Sequence, residues 1–72
     1  MLLLKSMTER YMGRRLALYT DRRDGRAWLS TDGVMSGPYD DLEEAEKALE
    51  RMKTLIRLQF YATSHRLARR RP

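Results

Sequence analysis

The chain's arginines carry its most distinctive chemistry, and they fall into two groups. One group lies with two aromatic residues between positions 14 and 28, and the other closes the chain. Arginine contacts phosphates and reads guanine bidentately, while Tyr and Trp rings offer surfaces on which bases stack. We therefore predict a site for nucleic acid or an acidic protein surface, formed by Arg14, Arg15, Tyr19, Arg22, Arg23, Arg26, Trp28, Arg66, Arg69, Arg70 and Arg71.

Enzymatic chemistry is not indicated by the remaining polar residues. His65 is the only histidine and directly follows Ser64, yet adjacent residues on a helix point apart. A nucleophile and its base need mutual contact and a third, orienting group. Without cysteine the chain has no disulfide, CxxC pair or zinc knuckle, and its glycines match no phosphate loop. We expect a non-enzymatic protein with no catalytic residue, metal site or cofactor.

Length and charge narrow the class of protein further. The 72 residues suit one domain, and 15 Lys and Arg against ten Asp and Glu give a net charge of +5. The apolar run at residues 1–4 is much shorter than the ~7 to 15 residues of a secretory signal core or the ~20 of a membrane helix. We expect a cytoplasmic protein that does not associate with membranes.

Residues 14 to 31 predict a β-hairpin. Asp24-Gly25 is a strong turn signal, and apolar and aromatic residues flank it on both sides. With Arg22 to Gly25 as the loop, residues whose numbers sum to 47 lie opposite each other. This register pairs Tyr19 with Trp28 on one face and Leu18 with Leu29 on the other. It also places two opposite-charge pairs beside the aromatic pair, Arg15 with Asp32 and Asp21 with Arg26.

The segments on either side of this hairpin are predicted to complete a small sheet and a short helix. Asp32-Gly33 is a second turn signal, and residues 34–37 follow as a third strand. Pro38 lacks an amide hydrogen, so this strand should lie at an edge or end at Gly37. At the other end, Leu3, Leu4, Met7 and Tyr11 have helical spacing and predict an N-terminal helix or arm.

A long helix is predicted to begin near Asp40, which with Glu43 forms a capping box. Its apolar residues recur at spacings of three and four, at Leu42, Ala45, Leu49, Met52 and Ile56. No Gly or Pro interrupts residues 41–71, and about 30 helical residues would span ~45 Å. A projecting end must bend back near Thr63-Ser64, be covered by the N-terminal segment, or meet a second chain. We predict a protein interface at Leu55, Leu58, Phe60 and Tyr61.

These patterns together predict an α+β fold: a three-stranded antiparallel meander packed against one long amphipathic C-terminal helix, with a short N-terminal helix. The predicted division is an arm at 1–12, a β-β-β-α core at 13–63 and a basic tail at 64–72, disordered over its last few residues. Function is predicted to be nucleic-acid binding through the hairpin and tail. The alternative is a phage- or plasmid-type inhibitor or adaptor that docks on an acidic protein, and the long helix could also join two copies as a homodimer.

Overall fold

The fold is one antiparallel sheet followed by one helix. The computed structural model describes the backbone of residues 3–69 and the side chains of residues 3–63. The sheet has the strand order β1-β2-β3-β4. The predicted α+β class is confirmed, with four strands in place of three. The elements are β1 (Leu3–Tyr11), β2 (Arg14–Asp21), β3 (Ala27–Thr31), β4 (Val34–Tyr39) and α1 (Leu42–Arg69).

The predicted N-terminal helix is wrong, because the segment forms strand β1. A two-residue turn, Met12-Gly13, joins it to β2 with φ values of 49° and 85°, the positive angles that match hairpin twist. The β1–β2 register shifts between Lys5 and Met7. A bulge of one residue there places Leu4 and Met7 on the same face of the sheet. The bulge therefore gives a strand the apolar spacing that is typical of a helix.

The predicted register of β2 and β3 is confirmed. Tyr19 lies opposite Trp28, and Leu18 opposite Leu29. The salt bridges differ from the predicted pairs. Asp32 forms its salt bridge with Arg14 at 3.3 Å and not with Arg15. Arg26 lies 3.9 Å from Asp24 and forms no salt bridge with Asp21. The carboxylate of Asp21 instead accepts the backbone amide of Arg23 at 2.9 Å. Asp21 is buried and is used to shape the turn.

One face of the sheet and one stripe of α1 form the core. Leu16, Leu18 and Leu29 are at most 1% exposed, and Ala27 lies among them. Each such large apolar side chain stabilises the fold by ~1.5 to 3 kcal/mol when it is fully buried. The predicted helix stripe is confirmed, since its residues pack on this leucine cluster with one further alanine: Leu42, Ala45, Ala48, Leu49, Met52 and Ile56.

Strand β1 is fastened to the middle of α1 by polar contacts. The Lys53 ammonium lies 2.8 Å from the Glu9 carboxylate and 5.5 Å from the centroid of the Tyr11 ring. The hydrogen bond to Glu9 raises the pKa of Lys53 above its ordinary value. Arg57 donates a hydrogen bond to the Tyr11 hydroxyl at 3.0 Å. The N-terminal segment therefore covers the helix on this side as a strand.

Beyond these contacts α1 projects from the sheet. The helix continues to Arg69 without a break at Thr63-Ser64, so it does not bend back there. The molecule measures 58 by 17 by 14 Å, and its radius of gyration of 15.2 Å exceeds the ~11 Å of a compact chain of this length. Four residues of the projecting end are 50 to 60% exposed: Leu55, Leu58, Phe60 and Tyr61.

The helix begins one residue later than predicted. The Asp41 carboxylate accepts the backbone amide of Glu44 at 2.9 Å, so Asp41 caps the helix in place of Asp40. Glu44, three residues after this cap, also forms an ion pair with Lys47 at 3.2 Å.

Replacing the capping residue tests this assignment. Asp41→Ala should lower the free energy of unfolding by ~1 kcal/mol, because an N-cap side chain satisfies a backbone amide that the helix itself leaves unpaired. Asp40→Ala removes the same charge one residue earlier and should change stability by only a few tenths of a kcal/mol. Urea titrations of both variants measure the difference. A larger loss for Asp40→Ala would show that the cap is misassigned.

Candidate nucleic-acid interface

The sheet face opposite α1, here called the helix-free face, carries side chains arranged in rows across the strands. Successive residues of a strand point to opposite faces of the sheet, so the residues next to the buried leucines point towards this side. The first row is Lys5, Tyr19 and Trp28, which lie opposite one another on β1, β2 and β3. The Lys5 ammonium is 5.8 Å from the centroid of the Tyr19 ring. We call these three residues the aromatic row.

A shallow trough runs beside the aromatic row. Thr8, Ala17 and Ser30 lie opposite one another across the three strands and have small side chains. They leave a depression of about 200 Å³, which Lys5, Tyr19 and Arg15 also line. The trough is therefore bounded by the aromatic row at one end and by arginine at the other, and hydroxyl groups contribute to its lining.

The third row pairs two like charges. Arg10 lies directly opposite Arg15 on the neighbouring strand, an arrangement that destabilises a sheet. Asp32 does not form a salt bridge with Arg15: its carboxylate accepts the Arg15 backbone amide at 2.9 Å and pairs with the Arg14 guanidinium. That backbone hydrogen bond, with the nearby Arg14 charge, lowers the pKa of Asp32. Arg10 and Arg15 form the basic row.

The cations of this face form no close ion pairs among the described residues, although the Asp32 carboxylate interacts electrostatically with Arg15 as well as with Arg14. Within residues 3–63, no carboxylate forms a salt bridge with Lys5, Arg10 or Arg15. The same holds in that range for Arg22 and Arg23, exposed residues that follow β2 in the hairpin loop. Such an arrangement can bind an anion without first breaking an internal ion pair.

The structure brings together only part of the predicted site. Arg15, Tyr19 and Trp28 meet on the helix-free face, and Arg22, Arg23 and Arg26 lie at one end of it. Arg14 is separated from them, because it lines a groove of about 240 Å³ with Ile56 and Phe60 of α1. The C-terminal arginines are not placed in the site: Arg66 and Arg69 lie in the last turns of α1, their side chains outside the described part, and Arg70 and Arg71 lie beyond the described residues, as does the predicted disordered end.

Sequence reasoning missed Lys5, Thr8 and Arg10, because it interpreted their segment as a helix. Half-buried residues 7, 9 and 11 alternate there with exposed residues 8 and 10, as in a strand with one covered face. The sequence hides this alternation, because Glu9 occupies one of the half-buried positions. Ser30 was missed for another reason: a serine in a strand carries no pattern of its own until the register places it opposite Ala17.

A second exposed surface lies on the projecting part of α1. Leu55 and Leu58 are more than half exposed, and Phe60 and Tyr61 pack edge to face with ring centroids 5.8 Å apart. The predicted interface residues are thus accessible on the helix. The structure describes no residue that covers them within positions 3–63.

The acidic side chains and the long helix of the described residues bear on two other kinds of site, a metal centre and a membrane span. No group of three or more His, Cys, Asp or Glu residues there is placed to hold a metal ion. The helix of that same region is not apolar enough over its length to cross a membrane. The cytoplasmic location stays a prediction.

The cost of the basic row can be measured. Arg10→Thr removes one of two facing like charges and introduces a good strand former, so it should raise the free energy of unfolding by ~0.2 to 1 kcal/mol. The gain should shrink as salt screens the repulsion. Arg14→Thr is the matched control, because it loses the salt bridge to Asp32 and should not stabilise the protein. Urea titrations at low and high salt decide the matter, and a destabilised Arg10→Thr protein would contradict the account of the basic row.

The site is the helix-free face of the sheet, which carries the aromatic row, the hydroxyl-lined trough and the basic row. It offers stacking surfaces and unpaired cations, and it assembles neither a nucleophile nor a metal ligand set from the described residues. Comparisons of the chain with models of protein families, with curated proteins and with solved structures found no match.

Proposed function

We propose that this protein is a small, non-enzymatic nucleic-acid-binding protein whose binding surface is the helix-free face together with the adjoining hairpin loop. The observation that carries the proposal is the basic row. Arg10 and Arg15 face each other at a cost to the sheet, and neither is paired with a carboxylate in the described region. A bound polyanion would relieve the repulsion between the two arginines. Binding is also favoured because phosphates release their counterions when cations neutralise them.

The distribution of the acidic residues supports the same surface. Glu43, Glu44, Glu46 and Glu50 are exposed on the first half of α1, which packs against the other side of the sheet. The first half of α1 therefore carries four glutamates, whereas six of the 15 Lys and Arg residues lie on the helix-free face and its loop, and another six lie along α1. The cations of the helix-free face attract a polyanion to that surface.

The aromatic row adds stacking surfaces for bases to the phosphate contacts of the basic row. Tyr19 and Trp28 are half-buried, and no element of the described chain lies over them. Strand β1 extends the sheet sideways and does not cross over this pair. A pair of uncovered rings between cations is the arrangement that binds bases and backbone together.

The proposal predicts unequal effects for two variants of equal charge. Arg10→Gln/Arg15→Gln should weaken binding to labelled oligonucleotides and lower the slope of log affinity against log salt by roughly 1.5 to 2. Lys47→Gln/Arg51→Gln removes two cations from α1 and should leave that slope nearly unchanged. Fluorescence anisotropy from about 50 mM salt upward measures both. Replacing Arg22, Arg23 and Arg26 by Ala should also reduce binding and its salt slope.

Two outcomes would contradict the proposal. Undetectable binding of duplex and single strands at ~50 mM salt would exclude a multi-phosphate binder, whose affinity is greatest at low salt. Equal loss in the two double variants would show that net charge alone, without the helix-free face, causes the binding.

The exposed helix surface favours a second candidate function, a protein-interaction factor of the inhibitor or adaptor type. Leu58 and Tyr61 are each 60% exposed on a helix that projects beyond its own sheet, and exposed apolar patches of this kind often mark interfaces. The partner would be an acidic protein or a second copy of the chain.

This candidate predicts that Leu58→Ala/Phe60→Ala loses a partner that Arg10→Gln/Arg15→Gln retains. A pull-down from the native host, with nuclease added to half of the sample, identifies the partner class, since protein partners survive the nuclease. Sedimentation velocity over a range of concentrations tests for the homodimer. Partners that vanish with nuclease, together with a monomer at all concentrations, would contradict the candidate.

A further inference from the structure

The width of the sheet limits the nucleic acids that can reach its centre. Four strands spaced ~4.8 Å apart place the axes of β1 and β4 about 14 Å from each other, before side chains are added. The major groove of B-DNA is about 12 Å wide and admits a helix or a two-stranded ribbon. A duplex would therefore meet the rim of the helix-free face, while its centre is open to a flexible strand whose bases lie flat.

The centre of the helix-free face holds a stacking surface, the indole of Trp28, and Gly37 of the neighbouring strand leaves room for it. Gly37 of β4 has a φ of +130°, and a Cβ atom there would lie 3.3 Å from Cε3 of Trp28 and 3.1 Å from the Ala27 carbonyl oxygen. Glycine thus lets the indole lie close against the neighbouring strand. The opposite residue, Tyr19, has Lys5 beside its ring. Two rings lie across adjacent strands with a cation next to them.

The trough provides a matching place for the backbone of such a strand. Its volume of about 200 Å³ is below the ~300 to 1,000 Å³ of sites that enclose a small molecule, so it suits one unit of a polymer. Lys5 and Arg15 line it with the hydroxyls of Thr8 and Ser30. Tyr19 lines it too, and the aromatic row and the trough are therefore continuous.

We propose that the helix-free face binds single-stranded nucleic acid, with a base stacked on Trp28 and a neighbouring backbone phosphate held in the trough between Lys5 and Arg15. This inference rests on the proposed function of nucleic-acid binding and names the form of the ligand. Stacking tolerates any base, so binding along the strand is nonspecific in sequence.

Intrinsic fluorescence tests the inference directly, because Trp28 is the only tryptophan of the chain. Titration with thymidine or uridine oligonucleotides of about 20 nucleotides should quench Trp28 emission. A duplex of the same length should bind at least about ten-fold more weakly and quench little. The thymidine and uridine arms distinguish DNA from RNA as the tighter strand.

Two variants at one position separate stacking from folding. Trp28→Leu removes the ring and should weaken single-strand binding by about 5- to 150-fold, the range for loss of one stacked base. Trp28→Tyr keeps a ring and should retain most of the affinity. Circular dichroism of both variants establishes that they are folded, and the wild-type quenching measurement is independent of either variant.

The results distinguish the inference from the proposed function. Quenching of Trp28 emission by single strands, together with tighter binding of single strands than of duplex, supports both the inference and the proposed function. Binding seen by anisotropy with unchanged Trp28 emission, or equal binding of duplex and single strand, overturns the inference and leaves nucleic-acid binding in place. No binding of either form by anisotropy at ~50 mM salt overturns both.

Discussion

The whole arrangement depends on the burial of one leucine face of the sheet beneath α1. Leu16, Leu18 and Leu29 are almost fully buried against the helix stripe. Because side chains alternate along a strand, this contact also decides which residues emerge on the opposite face. A slip of β2 by one residue would exchange the two faces of that strand and place Tyr19 in the core in place of its leucines. The packing that stabilises the fold therefore also assembles the aromatic row, the trough and the basic row.

A four-stranded sheet has two faces, and this chain has one helix to cover them. The helix-free face accordingly exposes cations and half-buried rings instead of an apolar surface. Its small central residues, Ala17 and Ser30, are sheltered by their larger neighbours, although no described element packs on them. The acidic residues of α1 lie on the opposite side of the molecule. The helix thus separates the sheet face that packs in the core from the face that stays open.

Much of this architecture could be predicted from the sequence, and the exceptions have physical causes. Turn signals and periodicity located β2, β3, β4 and the helix stripe, and cross-strand pairing placed Tyr19 opposite Trp28. Strand β1 was misread because a bulge near Ser6 breaks the alternation of its apolar residues. The sequence pattern does not distinguish Asp40 from Asp41 as the capping residue, because each has a Glu three residues later. Three of the eight residues in the rows were missed with β1, since Lys5, Thr8 and Arg10 join the face only when that segment is a strand.

The most direct test of the central claim is to map the contact surface by NMR. Amide chemical shifts of ¹⁵N-labelled protein would be followed during titration with a single-stranded oligonucleotide. The account predicts the largest changes at Lys5, Arg15, Tyr19, Trp28 and Ser30, with little change at Leu55, Leu58 and Tyr61 of the helix. Changes concentrated on the projecting part of α1, with the helix-free face unaffected, would contradict it.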